Sequence, residues 1–173
     1  MRVFLTGATG FIGSAIVREL LTAGHQVVGL ARSEAAGDSL TRLGAEVHRG
    51  ELSDPDSLAA GAEACDGVIH TAFIHDFSQY EANAEIDRRA LAAMAVVLKG
   101  SGKPLVATSG TAVLTPGQIG TENDAPALEG LGRIRAASEA VLSAAEHGVR
   151  VSVVRLPPTV HGQDDHAFVP ALI

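Results

Sequence analysis

The sequence predicts an α/β fold built on a doubly wound parallel sheet, and three observations lead there. Short apolar, β-branched runs alternate with longer helical patterns, the first run ends in a glycine-rich turn, and that turn opens an amphipathic helix. Six strands are predicted, over residues 2–6, 26–31, 45–49, 67–71, 104–109 and 150–156. Between the first two, Phe11, Ile12, Ala15, Ile16 and Leu20 recur at helical spacing, and Gly24 stands where a helix would end. A short alanine-rich helix is expected over 57–65, after the capping run Ser53-Asp54-Pro55. Longer helices are expected over 77–98, closed by Gly100-Ser101-Gly102, and over 128–146, closed by His147-Gly148. Right-handed crossovers and a switch point beside the first strand give the strand order 3-2-1-4-5-6, with ligand bound beyond the carboxyl ends of the strands.

Composition narrows the function classes. At 173 residues, 46% hydrophobic and with mean hydropathy +0.22, the chain can bury one sizeable core, so residues 1–173 are expected to form a single domain. A net charge of −7 and a pI of about 5.4 argue against a broad grip on nucleic acid or acidic membranes. With 3% aromatics and no tryptophan, a base-stacking surface is not expected either. No apolar stretch is long enough to span a bilayer, and Arg2 runs into a short strand pattern rather than a leader peptide. Cys65 is the one cysteine and reads as a buried structural thiol; a cytoplasmic location is expected.

The first strand leads at once into Gly7-Ala8-Thr9-Gly10-Phe11-Ile12-Gly13, and the strand-loop-helix context makes this a Rossmann-type dinucleotide loop. Gly7 permits the tight turn, Gly10 lets backbone approach a diphosphate, and Gly13 lets the helix pack closely. Exposed amides and the helix dipole then meet the negative charge.

Thr6 through Gly13 resembles the opening of the extended and atypical short-chain dehydrogenase/reductases, the group of nucleotide-sugar epimerases and dihydroflavonol reductases. Gly67-Val68-Ile69-His70-Thr71-Ala72 resembles that family's fourth-strand segment, which places Thr71 and Ala72 beside the cofactor. Val153-Val154-Arg155-Leu156-Pro157-Pro158-Thr159-Val160-His161-Gly162 resembles the segment after the sixth strand, which sets Pro157 and Pro158 beside the nicotinamide. The resemblance also implies a variable C-terminal substrate domain, of which residues 157–173 would be the start, and a homodimer through long helices such as 77–98. The apolar tail Ala167-Phe168-Val169-Pro170-Ala171-Leu172-Ile173 is expected to begin a further helix whose cover lies beyond this sequence.

Cofactor choice turns on the end of the second strand. Ala31 stands where an NAD-selective domain usually carries a carboxylate, and the following Arg32 and Ser33 could hold a 2′-phosphate, so NADP(H) is expected over NAD(H). Glu51 and Leu52 fall where the family contacts the adenine.

Catalysis is where this chain departs from the pattern. Family members carry Tyr-x-x-x-Lys on a helix, and here Leu131 stands for the tyrosine and Arg135 for the lysine. Leucine transfers no proton, while Arg135 keeps the face needed to hold the nicotinamide ribose. Ser109 and Thr111, just after the fifth strand, are the candidate hydroxyls for a substrate carbonyl oxygen; Tyr80, the sole tyrosine, is expected to pack, as are His70 and His75. His161-Gly162-Gln163-Asp164-Asp165-His166 offers ligand atoms but no metal-binding spacing, and no metal is expected. These readings point to an NADP(H)-dependent oxidoreductase acting on a small carbonyl. A nucleotide-sugar epimerase or dehydratase, and a non-catalytic NADP(H)-binding or redox-sensing protein, stand as alternatives.

Overall fold

The computed structural model describes residues 1–127, 129–162 and 165. Six parallel strands form one sheet in the order β3-β2-β1-β4-β5-β6, as the sequence predicts. They are β1 (Arg2–Thr6), β2 (Gln26–Ala31), β3 (Glu46–Arg49), β4 (Gly67–His70), β5 (Pro104–Gly110) and β6 (Arg150–Leu156). Among the described residues five α-helices accompany them: α1 (Phe11–Thr22), α2 (Glu34–Leu43), α3 (Pro55–Glu63), α4 (Tyr80–Leu98) and α5 (Gly130–Glu139).

Alternation along the strands divides the core in two. Phe4, Val28, Leu30, Val68, Leu105 and Ala107 face α3 and α4, where they pack with Leu58, Leu91, Met94 and Leu98. Leu5, Val27 and Ala31 face the other side and pack with Val17 of α1 and Leu40 of α2. Successive residues of β1 therefore serve opposite layers, which is what a central parallel strand covered on both faces requires. Cys65 is buried as expected, and burial pushes its thiol pKa up.

The structure corrects the element boundaries for local reasons. Helix α2, absent from the sequence prediction, is short, polar on average and carries Gly37 mid-helix, yet it lays a stripe of Ala36, Leu40 and Leu43 on the core. Its end takes Ala45 out of β3, because the Ala45 amide bonds the Leu40 carbonyl at 3.0 Å to close the helix. Helix α3 starts at Pro55, two residues early, because Asp54 caps it by accepting from the Ser57 amide at 3.2 Å. Strand β4 stops at His70 because its register partner Thr6 ends β1, whereas β5 runs on to Gly110 opposite Leu156. The 77–98 helix divides into a 3-10 turn, Phe77–Gln79, and α4. The 128–146 helix divides into α5 and a 3-10 stretch, Ala140–His147; Leu128 lies outside the described residues. The tail 167–173 also lies outside them. No described helix is long and apolar enough to cross a membrane.

Candidate dinucleotide site

The glycine loop joins β1 to α1 at the point where the sheet switches direction, with β2 on one side and β4 on the other. Gly7 has φ +71, and a Cβ there would lie 2.7 Å from both Thr71 Oγ1 and the Ala72 amide. Gly13 is tighter still: its Cβ would stand 1.9 Å from the Gly7 carbonyl oxygen. The Gly10 amide donates to Gly7 O at 2.9 Å, and the Ser14 amide donates to Gly10 O at 2.9 Å. No side chain caps α1, so its first-turn amides remain available to an anion, while Thr9 and Gly10 are exposed above them. Ala8 is buried and anchors the loop; Phe11 and Ile12 are half-buried. These features fit a diphosphate: the glycines clear the approach, and a Cβ on Gly10 would meet only Gly7 O, at 3.2 Å.

At the end of β2, Ala31 is buried, and Arg32 and Ser33 are exposed. Ser33 caps α2 by accepting from the Ala36 amide at 3.2 Å, which leaves its O–H free to donate outward. The sequence reading missed Arg49. Strand register sets it opposite Ala31, its guanidinium lies over Gly37 and it donates to the Ser33 carbonyl. Its distance from Arg32 in the chain hid it; parallel pairing of β2 with β3 was the signal that could have found it. Glu51 is exposed, while Leu52 is half-buried against the core.

Beyond β4, Thr71 and Ala72 abut Gly7, and the Thr71 hydroxyl donates to the Thr6 carbonyl at 2.8 Å. Phe73 follows, with the Arg135 guanidinium 4.0 Å over its ring. Arg135 Nη1 is buried with no hydrogen-bond partner, a donor directed at no protein acceptor. The edges of His75 and Tyr80 meet the same ring at 5.3 and 5.7 Å. Tyr80 does pack, then, but it packs within reach of Arg135. Leu131, one turn before Arg135, is the second residue of the same helix.

A buried polar layer supports these strand ends on the α4 and α5 side. The Ala72 amide donates to Thr6 Oγ1 at 3.4 Å, Thr6 Oγ1 bonds His70 Nδ1 at 2.8 Å, and His70 Nε2 bonds Asp87 Oδ1 at 2.9 Å. The Ser138 hydroxyl donates to the other Asp87 oxygen. Next along α5, Glu139 accepts a two-pronged hydrogen bond from Arg155, at 2.8 and 2.7 Å, and Arg155 also donates to the Asp124 carbonyl at 2.9 Å. His70 thus packs as expected, but as the middle member of a network.

Ser109 belongs to this layer. It is 4% exposed, directed at Glu139 without closing a hydrogen bond. Thr111, half-exposed, opens a 3-10 turn that packs against α5 just past β5, so of the two hydroxyls it is the less buried.

Burial opposes the Glu139 charge, but the Arg155 guanidinium outweighs it and holds the carboxyl below its ordinary range. The sign follows: the pair contributes stability when pH is above the ordinary carboxylate range, and loses it as pH falls through the lower folded-state value. Glu139→Ala should cost about 3 kcal/mol near neutral pH, because it strands the mostly buried Arg155 charge. Thermal unfolding from pH 7 to pH 3 should show the difference from the parent chain shrinking at the acid end. A constant gap would contradict the role given to the pair.

Pro157 and Pro158 are exposed after β6, and the following turn brings Gly162 back to the Phe11 ring, 3.6 Å from a Cβ placed on Gly162. The segment from β6 thereby reaches the first residue of α1, beside the loop. Of the candidate ligand run, Gln163, Asp164 and His166 lie outside the described residues. Among the described residues, no group of three His, Cys, Asp or Glu could hold a metal ion.

Known proteins share this arrangement. Residues 3–173 match the family described as NAD dependent epimerase/dehydratase. An uncharacterized protein of Schizosaccharomyces pombe is 51% identical over 178 residues, covering 100% of this chain and 59% of the relative. A 4-hydroxy-2-methyl-3-oxo-4-farnesyl-3,4-dihydroquinoline-1-oxide ketoreductase of Stigmatella aurantiaca is 32% identical over 184 residues, covering 100% of this chain and 54% of that protein. Among solved structures, the UDP-glucose 4-epimerase of Thermus thermophilus in complex with NAD superposes with TM-score 0.76 at 22% identity, covering 95% of this chain and 58% of that one. Vestitone reductase from alfalfa gives 0.68 at 24%, covering 91% and 56%. The chain thus spans somewhat over half the length of the relatives it matches. Its fold, its glycine loop and this match place it in the NAD dependent epimerase/dehydratase family.

Proposed function

We propose that the chain is the dinucleotide-binding part of an NADP(H)-dependent oxidoreductase that reduces a small carbonyl. The observation that carries this reading is the pairing of an uncapped glycine loop with two guanidiniums, Arg32 and Arg49, at the carboxyl ends of β2 and β3. Glycine-loop and α1 amides would hold the diphosphate. Arg32, Arg49 and the Ser33 hydroxyl would hold the 2′-phosphate, and Glu51 with Leu52 would lie along the adenine. At the other end, Arg135 would hold the nicotinamide ribose with its unsatisfied Nη1, Pro157 and Pro158 would flank the ring, and Thr111 would bind the carbonyl oxygen. When bound, the reduced nicotinamide supplies a hydride; the chain supplies orientation and charge. A ketoreductase and a vestitone reductase among the relatives support carbonyl reduction over sugar epimerisation.

Charge reversal tests the cofactor choice. Arg32→Glu should weaken NADPH by about 100-fold, roughly the 2.7 kcal/mol of a lost charge-assisted contact plus repulsion, while NADH changes little. Equal weakening of both cofactors, read by nicotinamide fluorescence, would remove Arg32 from the 2′-phosphate site.

A second reading, a non-catalytic NADP(H)-binding protein, is favoured by Leu131 at the family's tyrosine position. It predicts firm NADPH binding with no consumption of NADPH across a panel of ketones, quinones and aldehydes.

A further inference from the structure

We infer that Tyr80 takes over the proton-donor role that Leu131 cannot fill, acting from the start of α4 beside Arg135. This inference rests on the carbonyl-reductase reading above.

Two ring contacts and the connectivity of the chain bring Tyr80 to the site. Phe73 is two residues from Thr71 and next to Ala72, both of which touch the glycine turn, so its ring hangs from the same strand end as the cofactor loop. Arg135 lies on one face of that ring at 4.0 Å, and Tyr80 meets it edge-on at 5.7 Å with the ring planes 67° apart. Phe73 therefore serves as a spacer that fixes guanidinium and phenol relative to each other. In the family pattern the hydroxyl and the cation stand one helical turn apart on one helix. Here the cation is kept on α5 and the hydroxyl is offered from α4, across an aromatic ring.

The electrostatic surroundings suit a donor. Burial raises the Tyr80 pKa, Arg135 on α5 pulls it down, and Asp87 on α4 adds to the rise; His75 faces the same Phe73 ring from the connecting loop. The phenol is thus held in its protonated form at neutral pH, with a cation nearby to stabilise the phenolate as it forms. In the step itself, Tyr80 Oη would give its proton to the carbonyl oxygen as the carbonyl carbon takes the hydride that a bound reduced nicotinamide would supply, turning C=O into CH–OH, and the phenolate would then recover a proton from water.

The chain holds one tyrosine and no tryptophan, so a single ring-labelled 13Cζ signal reports on this phenol alone. NADP+ and NADPH differ by one charge at the nicotinamide and are alike in the adenosine half. The 13Cζ resonance of the saturated NADP+ complex should differ from that of the NADPH complex by several tenths of a ppm. Identical resonances in the two complexes would overturn the inference while leaving dinucleotide binding intact. If neither nucleotide binds, the carbonyl-reductase reading falls and the inference with it. Tyr80→Phe supplies the kinetic arm: NADPH affinity should stay within about twofold, and turnover of phenanthrenequinone should fall about 100-fold or more. Unchanged turnover in that variant would also overturn it.

Discussion

Gly13→Ala should abolish detectable NADPH binding by this chain, a loss on the order of 100-fold or more. The added Cβ would stand 1.9 Å from the Gly7 carbonyl oxygen, 2.6 Å from its carbon and 2.9 Å from Ala8 Cα. All three are backbone atoms, so no rotamer change relieves the overlap, and α1 must back away from the loop. Gly7 cannot retreat in compensation, because it already rests against Thr71 and Ala72. Displacing the helix start by about an ångström moves the amides and the dipole off the diphosphate, and misplacement on that scale costs about two orders of magnitude at a preorganised site. Overpacking should also lower stability by about 1–3 kcal/mol. Binding is measured by NADPH fluorescence and stability by thermal unfolding without cofactor. A folded Gly13→Ala chain that binds NADPH like its parent would show that the loop does not cradle the diphosphate.

The second large effect concerns Asp87. This carboxylate is 1% exposed and accepts from His70 Nε2 and from the Ser138 hydroxyl, which ties α4 to β4 and α5. Asp87→Ala leaves both donors buried without an acceptor and opens a void, so it should cost about 3–5 kcal/mol and lower the melting temperature on the order of 10 °C. Asp87→Asn keeps one acceptor oxygen and should recover part of that. Because Thr6 and Ala72 sit at the other end of the network, the alanine variant should also weaken NADPH binding, by more than Glu139→Ala does. A melting temperature within 2 °C of the parent would mean that the layer is incidental to the fold.

The two networks explain why binding and catalysis read so differently in the sequence. Every residue of the loop is local: Gly7 to Gly13 is one continuous stretch, and strand, turn and helix each leave a mark on it. Sheet order followed from the same alternation of patterns, and the structure repeats it. The polar layer carries no such mark. Thr6, His70, Asp87 and Ser138 lie in four separate elements, and only parallel pairing and the packing of α4 against the sheet bring them together. Arg49 was hidden for the same reason, since it approaches Ser33 only through the register of β2 with β3. Helix α2 does carry a helical period, Ala36, Leu40 and Leu43, but it is short, its low overall hydrophobicity and central Gly37 masked that stripe, and the sequence reading passed over it.

Ser109 is instructive in the other direction. Its place at the end of β5 suggested a substrate-facing hydroxyl, but the pleat gives it the same side as Leu105 and Ala107, and it ends against Glu139. Thr111, two residues on and past the strand, escapes that alternation. The cluster of Phe73, Tyr80 and Arg135 was equally out of reach of sequence reasoning, which had Tyr80 packing and Arg135 holding a ribose with nothing to connect them. Contact through one phenylalanine ring brings the two side chains together.

Calorimetric titration of NADPH and NADH into the chain tests the central claim most directly. The account predicts one site per chain, with NADPH bound more tightly than NADH by about tenfold or more, the preference residing in Arg32 and Arg49. Tighter binding of NADH would contradict the assignment of those arginines, and the absence of heat with either nucleotide would contradict the dinucleotide site itself.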